Sequence, residues 1–157
     1  MPYHFLHISF SQLFSMEQHF YSPSQPSHPR SMVDNILSKA NLLLSSRQYL
    51  AAITEYTSLL SQLPNPNDLS IAYNNRGQCH YQLVNFPEAI QDYTTSLQHN
   101  PLNHTTLYNR AQVLYRLSEF DQARSDIVKC LEVKPDFTEG KNCLNAINDA
   151  TNNQTQT

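Results

Sequence analysis

The chain has 157 residues, with 10 Lys+Arg against 13 Asp+Glu and a formal net charge of −3. That fits a single domain and removes any broad electrostatic case for nucleic acid or an anionic membrane surface. Two glycines are too few for a Walker-type loop or a G-x-G-x-x-G turn, and no apolar run nears the roughly 18 residues that span a bilayer. The polar load is mostly uncharged, with 15 Asn, 13 Gln and 16 Ser against 23 charged side chains. Its surfaces are therefore expected to bind by hydrogen bonds rather than by fields.

Residues 1–31 read differently from the rest. They hold four prolines, four histidines, six aromatics and seven serines, but only two charges, Glu17 and Arg30. Pro23, Pro26 and Pro29 forbid a helix there and favour extended chain. There is no basic n-region, and His4, His7, Ser9, Ser11 and Gln12 interrupt any signal-like apolar core. The segment is expected to be a disordered extension, a short docking peptide, or sequence upstream of a true start at Met32 or Met16. His4 and His7 would share a helix face, but no further ligand has a defined spacing, so no metal is expected.

From residue 33 onward the chain repeats itself. Tyr49, Phe86 and Phe120 recur at offsets of 37 and then 34, as do Ala52, Ala89 and Ala123, Pro64, Pro101 and Pro135, and Ala40, Gly77 and Ala111. Four residue classes sharing one pair of offsets define three units, 33–66, 70–103 and 104–137. The three extra residues fall between Pro64 and Ser70, where Asn65-Pro66-Asn67-Asp68 reads as a lengthened turn. Each unit is expected to be two antiparallel helices. The small residue in the first helix and the alanine in the second let the backbones approach closely. The aromatic begins the second helix, and the proline ends it. Residues 138–150 read as a capping helix with Leu144 and Ile147 facing in and Lys141, Asn142, Asn145 and Asn148 facing water. Residues 151–157 read as a disordered polar tail. The expected fold is an all-α solenoid of three helix-turn-helix units plus the cap.

These spacings resemble the tetratricopeptide repeat (TPR) family over residues 33 to about 150. Two departures are His80, where the family carries a large aromatic or aliphatic residue, and Leu59, where it carries a small one. Ala72-Tyr73-Asn74-Asn75-Arg76-Gly77-Gln78 and Tyr108-Asn109-Arg110 resemble more narrowly the second and third repeats of one small animal member of the family. The resemblance implies a concave groove lined by the first helices, and a non-catalytic adaptor or scaffold that binds other proteins there. Asn41, Asn74, Asn75, Gln78, Tyr81, Tyr108, Asn109, Gln112, Tyr115 and Arg116 are then the candidate groove residues. Asn75 and Asn109 hold the same position in successive units and would pair like rungs with an extended peptide or a helix. Their double replacement by alanine is expected to abolish binding without changing helicity.

Some family members clamp the acidic C-terminal tails of heat-shock chaperones with Lys and Asn in repeat one, Asn in repeat two, and Lys and Arg in repeat three. Here those positions carry Leu37, Asn41, Asn75, Thr105 and Asn109, so both asparagines match and the three cations are missing. That weakens the co-chaperone alternative, since each charged hydrogen bond contributes roughly 1.5–3 kcal/mol. The acids Glu55, Glu88, Asp92, Glu119, Asp121, Asp126 and Glu132 are expected on outer faces, with no catalytic set. Cys79, Cys130 and Cys143 are odd in number and lack C-x-x-C spacing, which favours free thiols in a reducing, cytoplasmic setting. No enzyme activity, cofactor, nucleic acid or membrane is expected; the sequence leaves open self-association through an exposed end helix.

Overall fold

The computed structural model describes residues 32–63 and 65–154, which form seven α-helices and no strand. The readings of residues 1–31, of Pro64 and of the last three residues lie outside this range. The helices are α1 Met32–Ser45, α2 Tyr49–Leu60, α3 Pro66–Gln82, α4 Phe86–His99, α5 His104–Arg116, α6 Phe120–Val133 and α7 Thr138–Gln154. Each packs on the next in the chain, and α1, α3, α5 and α7 also touch in sequence along one side. The result is a stack of helical hairpins in which first helices line one face and second helices the other. None of the described helices is long and apolar enough to cross a membrane.

The small residues do what their spacing requires. Ala40, Ala52, Ala89, Ala111 and Ala123 are fully buried, and a Cβ added at Gly77 would stand 2.9 Å from the Tyr93 ring. Tyr56, Tyr93 and Ile127 occupy the matching position of the three second helices and fill the space between them. Ile147 of α7 closes the last core, with Leu144 packed beside it.

The hairpin turns share one device. Arg47, Val84 and Ser118 all have φ near +60°. The following amide donates five positions back in every unit: Gln48 to Leu43, Asn85 to His80 and Glu119 to Leu114, at 2.8–2.9 Å. This is the Schellman ending, whose left-handed residue is ordinarily glycine. Valine is the worst of the three here, because its branched Cβ crowds the carbonyl in that region. Val84→Gly is expected to stabilise the fold by about 1 kcal/mol, after the loss from a more flexible unfolded chain. A thermal melt that stayed still or fell would contradict the strain assigned to Val84.

Two boundaries differ from the sequence reading. The three inserted residues do not lengthen a turn; they extend α3 at its start. Asn65 accepts from the Asn67 amide at 2.8 Å, Pro66 is the first helical residue and Asp68 lies in the first turn. All three are helix-start chemistry. The last helix runs to Gln154, past the expected stop at residue 150. Arg124 of α6 holds it there by donating to Asn148 Oδ1 and, at 3.0 Å, to Thr151 Oγ1. Asn148 therefore faces α6 rather than water.

Candidate functional site

The face lined by α1, α3 and α5 carries the candidate groove residues. Four of them form one bonded chain. Tyr56 Oη donates to Asn41 Oδ1 at 2.6 Å, and Asn75 Nδ2 donates to the same oxygen at 3.3 Å. Asn74 Nδ2 donates to Asn75 Oδ1 at 3.1 Å, and Asn109 Nδ2 donates to Asn74 Oδ1 at 3.0 Å. Thr106 Oγ1 also donates to Asn74 Oδ1, at 3.1 Å. Beneath it, Ser96 and Ser70 continue the chain into the core. Every amide bond from Asn109 to Asn41 runs in one direction, from the third unit toward the first.

This alters the role of Asn75. Asn74 and Asn75 are both buried, and Asn75 already uses its oxygen and one amide hydrogen within the chain. It ties the first and second units together, so the double replacement with Asn109 would disturb stability too. Asn109 is more open, and its Oδ1 accepts nothing from the described residues. Gln78 makes no side-chain hydrogen bond among the described residues, while Gln112 Nε2 donates to Tyr108 Oη at 3.0 Å.

The aromatic candidates sit at two places. Tyr108 is buried edge-on against Phe137, 5.1 Å between centroids. Tyr81 packs on Phe86 and Tyr115 on Phe120, at 6.0 and 5.5 Å, beside the hairpin turns. The Arg116 guanidinium lies over the Tyr81 ring at 5.4 Å, which joins the second and third units at that edge. Of the clamp positions, Leu37 packs into the first core, and Thr105 Oγ1 lies 3.5 Å from His104 Nε2.

Two acids are not on outer faces. Asp92 and Asp126 are only 4% and 3% exposed. Arg76 grips Asp92 with two bonds of 2.8 and 2.7 Å, and Arg110 grips Asp126 with two of 2.7 Å. The third guanidinium contact of each goes to a hydroxyl of the preceding second helix, Thr57 or Thr94, at 3.0 Å. Lys39 and Glu55 repeat the pair in the first unit at 2.5 Å, but Lys39 is 61% exposed there. The signal was in the sequence: Lys39, Arg76 and Arg110 share the 37 and 34 offsets, as do Glu55, Asp92 and Asp126.

The thiols are inert by environment. Burial pushes Cys79 up to about 12 and Cys130 and Cys143 to about 11, so all three stay protonated at neutral pH. Burial likewise raises the Tyr56, Tyr93 and Tyr108 phenols. No group of three or more His, Cys, Asp or Glu that could hold a metal occurs among the described residues.

Comparison with known proteins places the repeats. Residues 70–103 and 104–137 each match a sequence profile described as "Tetratricopeptide repeat". Mouse sperm-associated antigen 1 is 33% identical over 109 residues, 69% of this chain and 12% of that protein. The Hsp70/Hsp90 co-chaperone cns1 of Schizosaccharomyces pombe is 29% identical over 108 residues, 68% of this chain and 30% of that protein. The chain thus spans less than a third of these relatives. Among solved structures, the first TPR of Spaghetti (RPAP3) bound to the HSP90 peptide SRMEEVD superposes with a TM-score of 0.71 at 24% identity, covering 80% of this chain and 98% of that one. The Hsp90 co-chaperone Cns1 of Saccharomyces cerevisiae gives 0.74 at 20% identity, covering 80% and 41%. The chain is an all-α solenoid of tetratricopeptide repeats.

Proposed function

We propose that this chain is a non-catalytic adaptor that takes an extended peptide or a partner helix on the face formed by α1, α3 and α5. The observation that carries the reading is the directional amide chain from Asn109 through Asn74 and Asn75 to Asn41. It fixes the side chains in advance, which lowers the ordering cost of binding. It also leaves Asn109 Oδ1 and the Gln78 amide available to pair with peptide groups. The more specific likeness of Ala72–Gln78 and Tyr108–Arg110 is to tetratricopeptide repeat protein 32, which supports a small adaptor; a cytoplasmic setting belongs to the same proposal. Peptide-display selection on the full chain tests it. Enriched peptides should be lost on a Gln78→Ala/Asn109→Ala variant that remains folded at the assay temperature, its melt lowered only by the lost Asn109–Asn74 bond. Absence of enrichment on folded protein overturns the reading.

A second reading has comparable support: a co-chaperone adaptor for acidic chaperone tails. The relative from fission yeast is a named Hsp70/Hsp90 co-chaperone, a structural neighbour holds an HSP90 peptide, and Asn41 and Asn75 fall at the clamp asparagines. Against it stand Leu37, Thr105 and Asn109, which supply no cation. Titration with the peptide SRMEEVD decides between them. A dissociation constant near 1 μM selects the chaperone tail. Loss of two charged hydrogen bonds would instead weaken binding about a hundredfold or more.

A further inference from the structure

The bonded asparagines end at an unused acceptor. The Tyr56 hydroxyl is buried and gives its hydrogen to Asn41 Oδ1, which fixes that oxygen as an acceptor and sets the direction of each amide bond after it. Three amide–amide bonds follow, from Asn75 to Asn41, Asn74 to Asn75 and Asn109 to Asn74. Amides bonded head to tail polarise one another. The oxygen at the far end, Asn109 Oδ1, is therefore a stronger acceptor than that of a lone asparagine. Gln112 lies one turn further on the same helix face. Its Nε2 is committed to Tyr108 Oη, which leaves Oε1 as a second acceptor. Neither oxygen takes a bond from the described residues. Neither is buried, because among these residues the one buried side-chain N or O atom without a partner is His80 Nδ1.

We propose that the partner peptide brings an uncharged primary amide, the side chain of an Asn or Gln, to this pair of oxygens and so extends the amide chain by one member. The inference rests on the groove reading above and names the chemistry that the groove selects. A primary amide carries two hydrogens on one nitrogen, one for each oxygen. A serine or threonine hydroxyl carries one. A carboxylate carries none, and its charge would face two carbonyl oxygens. A lysine ammonium carries three, but it would enter near two cations. Arg116 stands one turn beyond Gln112, and Lys134 lies 5.5 Å from the Phe137 ring that packs on Tyr108. Glu139, whose charge helps to raise the Tyr108 phenol, offsets only one of them. The third unit thus favours an uncharged donor, which opposes the acidic-tail reading.

A random peptide library displayed against the full chain supplies the probe. Sequences enriched on the wild type should share an Asn or Gln, and changing it to Asp or Glu should weaken binding about tenfold or more by anisotropy. Asn109→Lys, with helicity checked, puts a cation at the end of the amide chain and should move the selection from amides to acids. Gln112→Met keeps the side-chain length and removes the second acceptor. It should weaken an enriched peptide about three- to tenfold, yet leave unchanged the same peptide with alanine in place of its Asn or Gln. Should Asn109→Lys fail to fold, this comparison decides alone. A wild-type consensus of acidic or basic residues would overturn the amide preference and leave the groove reading intact. So would an Asn or Gln consensus that survives both substitutions. No enrichment on folded wild type overturns the groove reading and this inference with it.

Discussion

Asp92→Ala is expected to lower the unfolding free energy by about 3 kcal/mol, while Glu55→Ala at the same repeat position costs less than about 1 kcal/mol. Both remove the acid of a Lys or Arg pair that joins the two helices of one hairpin. The difference is solvent. Asp92 spends both oxygens on Arg76, whose side chain is 19% exposed. Without it the guanidinium keeps only Thr57 and the Tyr73 ring, 5.4 Å away. Breaking a buried pair by removing one partner leaves an uncompensated charge, and about 3–5 kcal/mol is the usual loss. Partial access to water places Arg76 at the low end. Lys39 can simply turn to solvent. Asp126→Ala should match Asp92→Ala, since Arg110 repeats the geometry. Urea denaturation of the three variants checks this. Equal, small losses would show that the arginines swing out to water and that the clamps do not hold the junctions.

The same contrast shows what could be read from the sequence. The hairpin architecture was legible because it is a matter of volume. Ala52, Ala89 and Ala123 recur where two backbones meet, and only a small side chain fits. Tyr49, Phe86 and Phe120 open the second helices at the same offsets. The acids were misplaced because carboxylates are exposed by default. Asp92 and Asp126 overturn that default only through an arginine on the first helix of the same hairpin, and periodicity in the cation had to be read together with periodicity in the acid. The start of α3 was misread because Asn, Pro and Asp serve both turns and helix beginnings. Asn65 resolves the choice by capping the Asn67 amide. The candidate groove asparagines could be listed from the repeat positions, but not their bonding into one chain. Bonds such as Asn109 to Asn74 join different units and depend on how closely α3 and α5 approach, which no local pattern specifies.

Asn74→Ala is expected to cost about 2 kcal/mol and to weaken groove binding, although Asn74 is buried. Its oxygen takes bonds from Thr106 and Asn109, and its amide gives one to Asn75. Alanine would strand the Thr106 hydroxyl, which is fully buried and left with Ser96 alone. A buried donor or acceptor left unpaired costs about 1–3 kcal/mol. Asn75 and Asn109 would at the same time lose the group that holds their amides in place. Binding should therefore fall through lost preorganisation and not through a lost contact. Gln78→Ala is the control, because Gln78 has no side-chain bond to lose among the described residues, and it should leave stability within about 0.5 kcal/mol. Urea denaturation measures the first effect. Anisotropy with a display-selected peptide, well below the melting transition, measures the second. Reduced stability with unchanged affinity would make the amide chain a tie between units and nothing more. Reduced affinity in both Asn74→Ala and Gln78→Ala, with stability lost only in the first, would establish that this internal chain sets the groove's capacity to read a peptide.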